Sequence, residues 1–379
     1  MGIYLNPGCE GFRQIRKGIY VDKTGLIDYI NSTIETAFKL TVVSRPRRFG
    51  KSFAAKMLCA YYDKSCNSRQ LFDKMEISKA ESFEEHLNQY NVIYLDITRF
   101  ISRAISTGDS VVLGLQMAVI QELREAYPEC IEKGMVYLPD ALNCVSRNTG
   151  DKFIIIIDEW DALFREAKNS SALLKEYVQL LRGLFKGGTA TDDSIAAAYM
   201  TGILPIKKYG TQSALTDFQE YTMTNPDFLS VYVGFTEDEV RVLCSQYNMD
   251  FEEMKHWYDG YSFYDQRSVY NPNSVISAIR RRNFRSYWTE TETYESLKDY
   301  ITENFDGLKD AIVLMLGGQR ESVYTGSFQN DMTSFKSKDD ILTLLIHLGY
   351  LAYDGTSNEV YIPNQEVADA FQAAVRNTG

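Results

Sequence analysis

The sequence is short of the residues that define several common classes of protein. It contains only three histidines, and its six cysteines are scattered without a C-x-x-C pair, which argues against a cysteine–histidine zinc site and for free thiols. No apolar run reaches the roughly 18 residues that a membrane-spanning helix needs. Near the N-terminus, proline and charged residues stand where a signal peptide has its apolar core. We therefore expect a cytoplasmic protein with no membrane partner.

Basic residues are outnumbered by acidic ones, 40 against 51, so the formal net charge is −11. This balance disfavours a surface that is coated by nucleic acid throughout, although a local basic patch is compatible with it. One basic cluster stands beside Tyr287 and Trp288, and it is either a solvated helix end or a contact surface for nucleic acid. The cluster comprises Arg280, Arg281, Arg282 and Arg285.

The overall composition is that of a globular protein, with 45% apolar and 24% charged residues among 379. A chain of this length predicts about two domains, and we place them at residues 1–230 and 231–379. In the first domain, short β-rich runs alternate with helical patterns, which predicts an α/β fold with a parallel sheet flanked by helices. The strand candidates are Lys39–Ser44, Val92–Ile97, Phe153–Ile157, Ile195–Thr201 and Tyr221–Thr224.

Helical periodicity predicts further elements. In the second domain, the capping box Thr236–Glu239 and the pair Asn271–Pro272 indicate two helix starts. A predicted helix at 339–348, followed by strands at 349–353 and 359–362, resembles a winged-helix unit. The second domain is therefore predicted to be helical and to end in a winged-helix-like segment. In the first domain, one predicted buried helix face consists of Leu113, Met117, Ile120, Arg124 and Tyr127.

The strongest motif lies between the first predicted strand and a predicted helix at Phe53–Tyr62. Its sequence, S-R-P-R-R-F-G-K-S at Ser44–Ser52, is a variant of the phosphate-binding loop G-x-x-x-x-G-K-[ST] with Arg45 in place of the first glycine. Such a loop turns backbone N–H groups and a helix N-terminus toward phosphates. Lys51 would bridge the outer phosphates, and the Ser52 hydroxyl would ligate Mg²⁺. The alternative is a basic turn. The predicted nucleotide-binding residues are Arg47, Arg48, Phe49, Gly50, Lys51, Ser52 and Phe53.

Two carboxylates, Asp158 and Glu159, follow the apolar strand Phe153–Ile157. In open α/β sheets, ligands bind at the carboxyl ends of the strands. Asp158 would hold Mg²⁺, and Glu159 would polarise a water for attack on the terminal phosphate. The alternative is that Asp158 or Asp161 only caps the next helix.

Thr201 is a third candidate, at the end of the strand Ile195–Thr201. If this strand lies between the loop strand and the acidic strand, the Thr201 hydroxyl would lie near the attacking water. The alternative is a turn that ends the strand, which fits the following Gly202 equally well.

These stretches together resemble the bacterial AAA-ATPase-like family, in which Arg45 in place of glycine is usual. The resemblance implies ATP binding at Lys51, Ser52 and Asp158, hydrolysis through Glu159, and an additional-strand P-loop ATPase core followed by a helical or winged lid. Members commonly carry a C-terminal PD-(D/E)XK nuclease-like domain. The resemblance here ends near Phe371, so we expect no nuclease activity. The matching stretches are Phe12–Thr24, Arg45–Ser52, Ile157–Asp161, Thr201–Leu204, Gly234–Val240, Tyr258–Tyr261, Tyr270–Ser274 and Val360–Asn364.

Three functions are compatible with these observations. The first is Mg²⁺-dependent ATP hydrolysis that drives a conformational switch, in a protein that could complete its site as a homo-oligomer. The second is a nucleotide-gated binding module with negligible turnover. The third is a nucleic-acid-binding protein that acts through the winged segment and the cluster Arg280–Arg285.

Overall fold

The structure is a computed structural model that describes residues 2–167, 170–186, 188–206, 208–209, 212–213, 215–263, 266–288, 292–328 and 335–376. The chain forms two compact units. The N-terminal unit comprises Met1–Val43, Lys51–Gly202 and Ile206–Glu220, and the C-terminal unit comprises Ser44–Gly50, Ile203–Pro205 and Tyr221–Gly379. These units do not test whether the chain divides at residue 230 into domains that fold independently, so that boundary stays a prediction.

The first 221 residues contain most of the strands. The helices are α1 (Glu10–Arg16), α2 (Gly25–Thr33), α3 (Lys51–Tyr62), α4 (Arg69–Phe72), α5 (Phe83–His86), α6 (Ile97–Thr107), α7 (Val111–Ala126), α8 (Leu138–Thr149), α9 (Ala162–Glu166), α10 (Ser171–Phe185) and α11 (Thr189–Ser194). The strands are β1 (Leu40–Ser44), β2 (Asn91–Asp96), β3 (Phe153–Asp158), β4 (Ile195–Gly202), β5 (Lys208–Tyr209), β6 (Gln212–Ser213) and β7 (Gln219–Tyr221).

Five of these strands form one sheet in the order β2-β3-β4-β1-β7. Strands β2, β3 and β4 pair in parallel, with Asp96 opposite Asp158 and Asp158 opposite Thr201. Every residue of β3 and β4 is buried, as continuous apolar runs predict for strands covered on both faces. Strand β4 lies between β1 and β3, and this is the arrangement that the prediction for Thr201 requires.

The last predicted strand was wrong in its position. It was expected at Tyr221–Thr224, whereas β7 occupies Gln219–Tyr221. The chain turns immediately afterwards, because the Thr222 hydroxyl accepts a hydrogen bond from Asn225 N at 3.1 Å and Thr222 N donates to Asn225 O at 3.0 Å. Threonine has a high strand propensity, but its hydroxyl also closes local turns.

The core of the N-terminal unit lies between β2, β3 and the helices α6, α7, α8 and α10. Helix α3 packs against β2, β3 and β4. The predicted face of α7 was right for Ile120, which is buried, and wrong for Leu113, which is 47% exposed. The buried residues of α7 are all uncharged, whereas the predicted face included Arg124. The buried residues of α7 are Val111, Val112, Leu115, Gln116, Val119, Ile120 and Leu123.

The C-terminal unit is mainly helical. Its helices are α12 (Glu237–Tyr247), α13 (Phe251–Tyr258), α14 (Pro272–Arg281), α15 (Glu292–Thr302), α16 (Leu308–Leu316), α17 (Lys338–Leu348) and α18 (Gln365–Arg376). Its strands are β8 (Phe235–Thr236), β9 (Tyr261–Phe263), β10 (Gln266–Tyr270), β11 (Glu321–Ser322), β12 (Ala352–Asp354) and β13 (Glu359–Tyr361). They form two three-stranded sheets, β8-β10-β9 and β11-β13-β12.

The local signals in this unit correspond to observed elements. Helix α12 begins with a complete capping box in which Thr236 and Glu239 exchange hydrogen bonds, and the Asn271 side chain caps α14. The helix and hairpin expected near the C-terminus are α17, β12 and β13. In the hydrophobic core, the rings of Tyr294 and Tyr350 stack with centroids 4.0 Å apart. Within the described part of the chain, no helix combines the length and the apolar character needed to cross a membrane.

Candidate active site

Asp158 ends β3 at the carboxyl edge of the sheet and is 2% exposed. The Tyr94 hydroxyl, from the neighbouring β2, donates to Asp158 Oδ2 at 3.2 Å. Burial raises the pKa of Asp158 to about 6, although a hydrogen bond from the Ser52 hydroxyl favours the charged form and opposes the shift. Ser52, the second residue of α3, thus lies beside Asp158, the last residue of β3.

Lys51 opens α3 and is 4% exposed. Its Nζ lies 3.8 Å from Glu159 Oε1. Burial lowers the pKa of Lys51, while the carboxylates of Glu159 and Asp158 oppose this effect. The lysine of the loop and the acidic pair after β3 therefore converge at one edge of the sheet, which is the geometry that the sequence predicts.

Arg165 on α9 is a member of this cluster that the sequence analysis missed. Its Nη2 donates to Glu159 Oε2 at 2.5 Å, and its Nε donates to Asp161 Oδ2 at 3.1 Å. Burial lowers the pKa of Arg165, but Asp161 and Glu159 outweigh this and leave the pKa raised. The only signal in the sequence was the spacing Asp161-x-x-x-Arg165, which places the two side chains on one face of a helix turn.

The turn that carries these residues has an unusual backbone. Glu159 has a left-handed φ of 54°, which is uncommon for a residue with a side chain. Trp160 N donates to Thr201 O at 3.0 Å and ties the turn to β4. A Cβ on Gly202 would lie 2.6 Å from Asp161 Oδ1 and 2.8 Å from Trp160 Cδ1, so this close approach requires glycine.

The alternative roles considered for the aspartates are partly resolved. Asp161 occupies the N-cap position of α9 but makes no capping hydrogen bond there, and its carboxylate binds Arg165 instead. A third aspartate, Asp96 at the end of β2, caps α6 by accepting a hydrogen bond from Thr98 N at 3.0 Å. Asp158 ends a strand and is not a helix cap.

Thr201 lies opposite Asp158 in the pairing of β3 with β4. It is completely buried, and within the described residues its hydroxyl has no hydrogen-bond partner. A buried polar group of this kind is costly and calls for an explanation. Thr201 thus lies beside the acidic strand, as predicted, whereas its contact with the attacking water stays a prediction.

Arg45 and the residues around it belong to the C-terminal unit. The Arg45 side chain is completely buried, and its guanidinium lies 4.9 Å from the centroid of the Phe263 ring. Its Nη1 donates to Ser44 O at 2.9 Å and to Tyr221 O at 3.4 Å. The residue that replaces the usual glycine is thus part of a packed core.

The other loop residues divide into buried and exposed groups. The Phe49 side chain is buried and meets the Tyr261 ring edge-on at 5.2 Å, so only its backbone remains for a ligand. Arg47 and Arg48 are exposed. Gly50 has a φ of 94°, a conformation that favours glycine. In the N-terminal unit, Phe53 is 47% exposed on the first turn of α3.

The oxygen atoms near Lys51 that could ligate a metal suit a magnesium ion. The Ser52 hydroxyl favours the charged form of the Asp158 carboxylate, and Mg²⁺ prefers hard oxygen ligands of this type. Across the described residues, no group of three or more histidine, cysteine, aspartate or glutamate side chains could hold a metal alone. A metal here would therefore take its remaining ligands from phosphates and water.

The predicted basic cluster is exposed at the end of α14. The guanidinium groups of Arg281 and Arg285 lie 5.7 and 5.2 Å from the centroid of the Tyr287 ring. Arg282 donates to Tyr247 O. Among the described residues, none of the four arginines forms an ion pair, so their charge is available to an anionic partner.

The strand order of the sheet is that of the α/β fold of the P-loop NTPases. Lys51 at the start of the helix after β1, and Asp158 and Glu159 at the end of β3, stand where this fold has its lysine and its acidic pair. A family model described as a predicted AAA-ATPase (AAA-ATPase-like) matches residues 7–211. This match covers more than half of the chain, and the chain belongs to this family. Family and fold together support a nucleotide-binding ATPase in general terms.

Among curated proteins, the chain is 24% identical over 304 residues to an uncharacterized protein in the vnfD 5' region of Azotobacter chroococcum mcd 1. The matched region covers 79% of this chain and 56% of that relative, so the chain spans little more than half of the relative's length.

Similar solved structures include the Aeropyrum pernix ORC2 protein in ADPNP–ADP complexes, with 11% identity, a TM-score of 0.40, and coverage of 94% of this chain and 92% of the other. C. elegans PCH-2 has 13% identity, a TM-score of 0.28, and coverage of 95% and 70%. A DNA replication initiation factor has 10% identity, a TM-score of 0.29, and coverage of 88% and 79%. These TM-scores are too low for any of the three to bear on the function of this chain.

Proposed function

We propose that the chain is a Mg²⁺-dependent ATP hydrolase. The observation that carries the proposal is the 3.8 Å separation between Lys51 Nζ and Glu159 Oε1. An ammonium and a carboxylate at this edge of the sheet supply the two functions that ATP hydrolysis needs, which are binding of the outer phosphates and orientation of the attacking water. The family to which the chain belongs supports the same activity.

In this proposal, Lys51 binds the outer phosphates, and the backbone N–H groups of residues 47–50 and the start of α3 contribute further donors. The exposed Arg47 and Arg48 add positive charge, and Phe53 contacts the nucleotide from the first turn of α3. Glu159 orients and deprotonates the water, and the Thr201 hydroxyl contacts the terminal phosphate or the water.

Ser52 and Asp158 would hold Mg²⁺. A metal bound there would supply positive charge for the phosphate oxygens. The raised pKa of Asp158, about 6, means that burial disfavours its charged form, and a divalent cation would reverse that preference.

The test compares ATP turnover by the wild type, Glu159→Gln and Lys51→Ala. General-base catalysis is worth roughly 10²–10⁴ in rate, so Glu159→Gln should lose at least about a hundredfold while it still binds ATP. Lys51→Ala should lose binding as well. Glu176→Gln changes an exposed glutamate on α10 and serves as the control. Equal turnover by the wild type and Glu159→Gln would remove Glu159 from its role.

The same measurements address the second candidate, a nucleotide-gated binding module. Tight ATP binding by the wild type without phosphate release, also in the presence of candidate partners, would favour it. The coupling of hydrolysis to a conformational switch, the lid role of residues 231–379 and assembly into a homo-oligomer all belong to the proposal. Sedimentation with and without ATP tests the last of these.

Nucleic-acid binding is a third candidate, and the exposed charges at Arg280–Arg285 favour it. Four arginines beside an aromatic ring match the chemistry of a phosphate backbone with unstacked bases. Binding of single-stranded DNA should weaken steeply with salt. Arg280→Gln with Arg281→Gln should reduce the slope of log affinity against log salt by about one for each phosphate that the variant no longer binds, unlike the exposed control Arg103→Gln. No measurable binding at low salt would eliminate this candidate.

A further inference from the structure

Glu159 faces two cations at unequal distances. Its Oε2 accepts a hydrogen bond from Arg165 Nη2 at 2.5 Å, whereas its Oε1 lies 3.8 Å from Lys51 Nζ. Hydrogen bonds between charged nitrogen donors and carboxylates usually measure about 2.7–2.9 Å. The contact with Arg165 is therefore a hydrogen bond, whereas Lys51 and Glu159 form a longer ion pair without a hydrogen bond.

Arg165 is held in place independently of Glu159. Its Nε binds Asp161 Oδ2 at 3.1 Å, one helical turn away, and the two side chains are 3% and 0% exposed. Asp161 is the N-cap residue of α9, and a Cβ on Gly202 would come within 2.6 Å of its Oδ1, so the carboxylate has little room to move. The buried guanidinium is thus held by Asp161 while it donates to Glu159.

Without Arg165, the ammonium of Lys51 would be the cation nearest to Glu159 in the described part of the site. Coulomb attraction between such groups is strong where solvent is excluded, and Lys51 is 4% exposed. A closed pair of Lys51 with Glu159 would occupy the group that is proposed to bind phosphate and also the group that is proposed to activate water.

We propose that Arg165 is a positioning residue that prevents Glu159 and Lys51 from closing their 3.8 Å ion pair into a hydrogen bond. With the pair open, the phosphates of the nucleotide compete more easily for the ammonium, and the carboxylate can orient the water. This inference rests on the proposed function, because it assigns Arg165 to the same ATP site, where it acts through Glu159 and touches neither the nucleotide nor the water.

The experiment is a double-mutant cycle on ATP affinity, measured by titration with a fluorescent ATP analogue in the presence of Mg²⁺. The proteins are the wild type, Arg165→Gln, Glu159→Gln and the double variant. Arg165→Gln should bind about tenfold more weakly, within the range of coupling between contacting residues. The double variant should bind within about twofold of Glu159→Gln, because no carboxylate then competes for Lys51.

Arg241→Gln is the matched control. Arg241 also pairs with an acidic residue one turn away, Glu237, but this pair lies in the C-terminal unit with half of the Arg241 side chain exposed. It should leave ATP affinity unchanged. If Arg165→Gln shows no cooperative unfolding transition, Arg165→Lys takes its place alone and with Glu159→Gln, since lysine keeps a cation for Asp161 but cannot bridge both carboxylates.

Restored affinity in the double variant supports the inference. A double variant that binds as weakly as the Arg165 variant alone would overturn it, because the loss would then be structural and independent of Glu159. Failure of the wild type to bind ATP is a different result, and it would refute the proposed function together with this inference.

Discussion

Replacing Arg45 with glycine restores the common form of the phosphate-binding loop, and it is expected to harm this protein. The motif alone predicts that Arg45→Gly is neutral or favourable. In the structure, however, the arginine side chain is completely buried under the Phe263 ring and bonded to two carbonyl oxygens. Arg45 is not among the residues with positive φ, so its backbone has no need of glycine.

The size of the effect follows from these contacts. A hydrogen bond from a charged donor contributes about 1.5–3 kcal/mol net, and the bond to Ser44 O at 2.9 Å has good geometry, whereas that to Tyr221 O at 3.4 Å is weak. The contact with the Phe263 ring adds about 1 kcal/mol. Glycine would leave a cavity and gain backbone entropy on unfolding, while relief of the buried charge offsets part of the loss. We expect destabilisation of about 3 kcal/mol.

Thermal unfolding and ATP binding form the assay. Arg45→Gly should lower the midpoint of unfolding by about 6–10 °C if the unit that contains Arg45 melts cooperatively. Arg45→Met keeps most of the volume and should lose less, which separates packing from charge. The exposed Arg47→Gly is the control for thermal stability only, because Arg47 is itself proposed to act on the nucleotide. A variant Arg45→Gly as stable as the wild type, with equal affinity for ATP, would show that the buried contacts of Arg45 contribute nothing.

Replacing Gly202 with alanine should destabilise the protein by about 1–3 kcal/mol, because the added Cβ meets Asp161 Oδ1 at 2.6 Å. The control is Gly114→Ala, whose Cβ would have nothing within 4 Å. Thermal unfolding that is unaffected in both variants would contradict the reasoning. Burial raises the pKa of Glu366 from 4.5 to about 7. Folding therefore takes up a proton in this window, and stability should fall by about 3 kcal/mol as the pH rises through it. Glu366→Gln should remove this part of the pH dependence of urea unfolding between pH 5 and 8, and an unchanged slope would count against it.

Most of the sheet could be predicted because its information is local. Runs such as Phe153–Ile157 are apolar throughout, and a short β-branched run of this kind is typical of a strand buried on both faces. Caps at Thr236 and Asn271 are equally local, since each is satisfied by residues within one turn. The acidic pair after β3 also follows from chain order, because parallel strands bring their carboxyl ends to one edge.

Two of the features that the sequence did not predict depend on partners that are distant in sequence. Helix α7 has two apolar tracks, and only the packed neighbours decide that Leu113 is exposed. Nothing near Arg45 in the sequence indicates that Phe263 covers it, more than two hundred residues later. Arg165 was missed for a different reason: a single arginine on a short helix has no distinctive pattern until the fold brings Glu159 within 2.5 Å.

Three unusual features lie near the proposed site, and none of them depends on the motif. Proteins satisfy buried polar groups, avoid left-handed backbone outside glycine and keep charges in water, and exceptions concentrate where function requires them. Here Glu159 has a left-handed φ of 54°, the buried Thr201 hydroxyl has no partner among the described residues, and Lys51 is buried with its charge. All three exceptions lie at the carboxyl edge of β3 and β4. At the same edge, Gly202 permits the close approach of Asp161, which a Cβ at position 202 would block. Each of these features costs stability on its own, and their proximity at one edge of the sheet supports the proposed ATP site.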